Sequence, residues 1–148
     1  MKPDPSRFLE VAAAHLMLKT GPGITNAYEQ SSVMVMAVMF SAVNEELERA
    51  AARRVEENGE LRRLFAEAAP VVADSDLRGR LEETAASNDA SLAVSDLERG
   101  NCALRALLIE LHAHVEELDS PGARAVEQDI WRELVASTER RALSMGPF

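Results

Sequence analysis

Three clusters of helix-breaking residues, separated by long stretches of helical periodicity, constrain this chain more than any other feature. The clusters are Gly21-Pro22-Gly23, Pro70 with Asp74-Ser75-Asp76, and Ser120-Pro121-Gly122. Between them apolar residues recur at helical spacing, and no alternating β-type run occurs. The pattern predicts an all-α fold, a four-helix bundle with helices over about residues 6–19, 25–69, 75–119 and 121–144. Ser6 is placed to cap the first helix, and Pro121 sits where a first helical turn tolerates it. The second and third helices, at about 45 residues or ~67 Å each, match in length and are joined by a short connection. That predicts a long antiparallel hairpin, with Gly59 and Gly100 inside it as candidate kinks. A chain of 148 residues can bury roughly two-thirds of its unfolded surface, enough for a single domain over 1–148 without disulfide or metal.

A hairpin turning near residue 72 makes facing positions sum to about 145. Residues 33–43 then face 102–112, and both stretches are apolar on most sides. Such helices must be covered from several directions, and the first and last helices are placed to cover them. The same register brings Asn44 to Asn101, and Asn58 to Ser87 and Asn88. A polar pair on an apolar seam fixes register, whereas a lone buried amide costs about 1–3 kcal/mol. Beyond this zone the sequence predicts a two-helix stem. Its apolar stripe is Leu47, Val55, Leu61 and Phe65 on one helix and Leu81 and Leu97 on the other. Glu48, Arg53, Glu56, Glu57, Arg63, Arg78 and Glu82 are assigned to solvated faces. A stripe covered on one side only predicts a homodimer or a partner helix laid along the stem.

The net charge of −9 argues against nucleic acid as a partner and against an anionic membrane surface. The longest apolar run, Val33 to Phe40, is too short to span a bilayer. The first residues lack the apolar core of a secretory signal, so a cytoplasmic location is expected. Phosphate-binding loops, hydrolase elbows, zincin helices and cysteine pairs for zinc are all absent from the sequence, and no cofactor is expected. The remaining chemistry-bearing constellation is Glu110-Leu-His112-Ala-His114-Val-Glu116. Glu110 shares a helix face with His114, and His112 with Glu116. With His15, these are the candidate metal ligands. The bland alternative is solvated i, i+4 pairs. His112 and His114 point about 200° apart and cannot share one ion. Met17, Met34, Met36 and Met39 form either plain core or a pliant pocket. Cys102 reads as a buried thiol, and Trp131 as a partly buried structural residue. The expected function is that of a non-enzymatic interaction module, adaptor- or chaperone-like, using its amphipathic hairpin. The alternative is a ligand- or metal-binding bundle, or an enzyme, using the His and Glu residues of the third helix.

Overall fold

Asp4, rather than Ser6, starts the first helix. In the computed structural model, which describes residues 4–144, the Asp4 carboxylate accepts the Arg7 backbone N–H at 3.1 Å and Pro5 takes the first turn. Helix α1 spans Pro5–His15 and continues as a wider π turn, Leu16–Thr20, and a 3-10 turn, Gly21–Gly23. Helix α2, Ala27–Ala68, is one continuous helix. Asn26 caps it by accepting the N–H groups of Tyr28 and Glu29 at 3.0 and 3.3 Å. Among the described residues the chain is helical, without strand, and no helix is long and apolar enough to cross a membrane.

The third expected helix is broken. Helix α3 covers Ser75–Ala85, capped by Asp74, and helix α4 covers Val94–Glu116. The break falls at Ala86-Ser-Asn-Asp-Ala-Ser-Leu-Ala93. Short polar side chains there bond to nearby backbone instead of letting it join a helical ladder. Ser87 Oγ donates to the Thr84 carbonyl at 2.7 Å, and Ser91 Oγ accepts the Ala93 N–H at 3.0 Å. Helix α5 runs Pro121–Arg141 from a Ser120 cap, with Pro121 in the first turn as expected.

The chain divides into two compact units. Unit 1 takes the residues up to Ala50 together with Leu143 and Ser144. Unit 2 is Ala51–Ala142. In unit 2 the break reverses the chain a second time. Arg54 pairs with Glu98 and Asn58 with Asn101. Partners on α2 and α4 thus keep a nearly constant difference, not the constant sum of an antiparallel pair, so the two helices run parallel. Arg80 of α3 pairs with Glu110, while α5 returns along α2, with Ser137 and Arg141 at Glu57 and Gly122 beside Val71. The helical segments of unit 2 therefore alternate in direction. Leu61, Phe65, Leu81, Leu104, Leu108, Leu111, Val115 and Ile130 fill its core.

Gly59 lies on an exposed side of α2, and a Cβ built there meets nothing within 4 Å. Since glycine costs a helix interior about 1 kcal/mol relative to alanine, Gly59→Ala is expected to raise stability by that amount. Calorimetry would then read a rise in Tm of about 3 °C.

Candidate functional site

Unit 1 is held by polar ties and small residues. Among its described residues the buried ones are Ala13, Gly21, Ala37 and Ala50. Gly21 is there for close approach, because a Cβ would lie 3.1 Å from the Leu16 carbonyl oxygen and 3.2 Å from Met34 Sδ. Gln30 Nε2 donates to the Gly21 carbonyl at 3.1 Å, fastening the turn to α2. Ser6 Oγ donates to Asn44 Oδ1 at 2.7 Å. The Ser144 N–H and hydroxyl both donate to the Glu45 carboxylate and draw its pKa below the usual range.

Many large apolar side chains of unit 1 are left in solvent, while others, such as Leu16, Val38 and Phe40, are partly covered. Phe8, Val11, Leu18, Tyr28, Val35, Met36, Met39 and Val43 are all more than half exposed. At 100° per residue, Tyr28, Val35, Met39 and Val43 fall within about 80° of one another on α2. Ala37, on the opposite side, is shut off from solvent. An open groove of ≈ 950 Å³ lies beside this face, lined by Met17, Gly21, Pro22, Met34, Val38 and Met39 among others. Met17, Met34 and Met39 thus border an open groove, and Met36 is exposed outside its lining.

The expected docking stripe has a different fate. Leu61, Phe65, Leu81 and Leu97 are buried in unit 2, and only Leu47 and Val55 stay exposed. Residues of α3, α4 and α5 cover the part of α2 around Leu61, Leu64 and Phe65, which was expected to lie on a bare stem.

Beside that core is a buried polar cluster, of which Glu57 was expected on a solvated face. Glu57 and Asn58 have no exposure, and Asn101 has 1%. Arg141 holds the Glu57 carboxylate in a fork, Nε to Oε1 at 2.8 Å and Nη2 to Oε2 at 2.7 Å. Ser137 Oγ and Asn101 Nδ2 also donate to it, at 3.2 and 3.3 Å. Burial pushes this carboxyl up, but the Arg141 bonds, the Arg105 charge and Ser137 outweigh it, so it titrates below the usual carboxylate range. Asn101 Nδ2 donates to Asn58 Oδ1 at 3.0 Å, and Asn58 Nδ2 donates to Asp89 Oδ1 at 3.0 Å. Arg62 closes the row on Asp89 at 2.7 Å; its hydrogen bond, opposed by burial and helped by Asn58, lowers the Asp89 pKa. The expected Asn44–Asn101 layer is therefore replaced. Asn101 bonds to Asn58 and Glu57, while Asn44 belongs to unit 1 and accepts from Ser6. Every Glu57 oxygen is occupied by a donor, which makes this cluster a clamp and a poor proton acceptor.

The candidate ligands on α4 separate. Glu110 is taken by Arg80 in two bonds of 2.6 and 2.9 Å and does not serve His114. His15 is exposed on α1. His112 Nε2 lies 3.5 Å from Glu116 Oε1. Glu127 on α5 joins these two, one ligand atom from each residue lying within 4.8 Å of the others. The His112 and Trp131 rings meet edge to face, centroids 5.4 Å apart. Glu127 was missed, although reflection about the Asp119-Ser120 turn places position 127 opposite 112. Cys102, expected to be buried, is exposed on α4.

A cleft of ≈ 160 Å³ between α2 and α5 gathers Glu60, Arg63, Glu67, Asp129, Arg132, Glu133 and Arg140. Burial, with the Glu60 and Glu57 charges, raises the Glu133 pKa against the pull of Arg140. Its four carboxylates face three guanidinium groups, and no Ser, Thr, Cys, His or Lys is among its lining residues. Comparison with protein-family models, with curated proteins and with solved structures finds no match to this chain.

Proposed function

We propose that this chain is a non-enzymatic interaction module, and that unit 1 pairs with unit 1 of a second copy. The observation that carries the reading is the exposed face of Tyr28, Val35, Met39 and Val43 beside the methionine-lined groove. Residues 30–44 of α2 contain no charged side chain on any face. Helices apolar all round are found covered on several sides, yet the buried residues among those described in unit 1 are all small.

A second copy suits this face better than an unrelated partner. An uncharged stripe carries no pattern of sign that selects a different charged surface, whereas it is complementary to itself under two-fold symmetry. This moves the homodimer and partner-helix expectation from the buried stem to unit 1.

Light scattering coupled to size-exclusion chromatography tests the reading. The wild-type chain is expected to elute with the mass of two chains at tens of micromolar. Val35→Lys with Met39→Lys should give a single chain, because each lysine would bring an uncompensated charge into the seam. Both positions are exposed in one copy, so the urea midpoint of unit 2 should stay unchanged. A monomeric wild-type protein under those conditions would sink the proposal.

A further inference from the structure

We infer that His112, Glu116 and Glu127 form a binding site for one first-row divalent cation, with Zn(II) as the first choice. The three residues come from two neighbouring helices of unit 2. His112 and Glu116 are one turn apart on α4, and Glu127 is supplied by α5. One ligand atom from each lies within 4.8 Å of the others. Zinc–nitrogen and zinc–oxygen bonds of about 2.0–2.2 Å put the donors of a tetrahedral site ~3.4 Å apart. The His112–Glu116 separation of 3.5 Å already meets that spacing. Glu127 has to approach by at most about 1.4 Å, a movement within the reach of rotation about its side-chain bonds.

Two observations separate this set from an ordinary surface pair. His112 Nε2 is shielded from solvent and makes no hydrogen bond, a condition that asks for a missing partner. Glu127 has neither hydrogen bond nor ion pair among the described residues, and the nearby Arg124 is engaged with Asp119 at 2.6 Å. Two carboxylates beside an unbonded imidazole make a site of excess negative charge whose lone pairs converge. Trp131, one turn beyond Glu127, lays its ring against the imidazole and limits its rotation. The donor set decides the ion: a nitrogen with two carboxylates suits Zn(II), Mn(II) or Fe(II), whereas Ca(II) and Mg(II) take oxygen alone. Three protein ligands leave a fourth position for water.

The test is calorimetric titration of the tag-free, chelator-stripped chain with Zn(II), with Trp131 emission followed in parallel. Trp131 is the only tryptophan, so its fluorescence reports this site alone. One ion per chain is expected, with a saturating change in emission. His112→Ala and Glu127→Gln should each weaken binding about tenfold or more, whereas Glu110→Gln, whose parent carboxylate serves Arg80, should not. Should His112→Ala lose its helical circular dichroism, Glu127→Gln carries the test, because that carboxylate holds nothing else in the fold. No saturable binding up to roughly 1 mM Zn(II), or wild-type affinity in Glu127→Gln, would overturn the site.

Discussion

Phe65→Ala is expected to lower the unfolding free energy by about 4 kcal/mol, among the largest effects of any single truncation in this chain. Phe65 has no solvent exposure and sits among Leu61, Leu81, Leu108 and Leu111 in the core of unit 2. Removing its ring loses the transfer free energy of the ring and leaves a void that helices on several sides cannot close. For a chain of this length the melting temperature should fall by about 10 °C. The variant also decides between two roles. As a docking residue, Phe65 could be truncated with little cost to the monomer, and the loss would appear only in association. As core, it should show a lower urea midpoint, with the association of whatever remains folded unaltered. An unchanged urea midpoint would mean that the stem is bare after all.

Glu57→Leu is expected to cost about 3 kcal/mol, because breaking a buried ion pair strands the groups that remain. Ser137 and Asn101 would each lose an acceptor, and Arg141 would face an apolar side chain. Arg141 is partly exposed and can turn to water, so Arg141→Leu alone should cost less. The double variant should recover part of the sum, since two leucines leave no orphaned charge. Strictly additive losses in urea would show that the fork contributes nothing as a pair. The carboxylate also sets an acid limit. Its pKa in the fold lies below its ordinary value of 4.5, so its contribution is present above that value. It is lost as pH falls through the lower, folded value. Glu57→Gln should therefore flatten the decline in stability below about pH 4.5.

The breaker clusters at 21–23 and 120–122 were legible because proline and glycine mark them, and the Asp74 cap with Pro70 marks the turn after α2. The break at 86–93 has neither residue. Its signal is Ser87-Asn88-Asp89 with Ser91, polar residues that end a helix by bonding to backbone, and they were absorbed into a long helix on periodicity. That single miss inverted the direction of α4 relative to α2. It produced the Asn44–Asn101 pairing and left the stem without cover. Glu57 and Asn58 were also readable. They precede Leu61 by four and three residues and Leu64 and Phe65 by seven, which puts them on the buried stripe. Charge type outweighed spacing in assigning Glu57 to solvent. Of the ligand set, His112 and Glu116 came from i, i+4 spacing within one helix. Glu127 needed the α4–α5 turn as a mirror, which no pattern within one helix supplies.

The small residues buried among those described in unit 1 set how that unit exchanges its amide hydrogens. Alanine and glycine bury too little apolar area to make opening costly, so the first half of α2 should open at a lower free energy than the half beyond Ala51, although hydrogen bonding is continuous along the helix. Pairing with a second copy would close those amides by mass action. Their protection factors should then rise with protein concentration, while those of the Leu61–Phe65 turn stay constant. The order of unit 1 would thereby depend on how much of the protein is present.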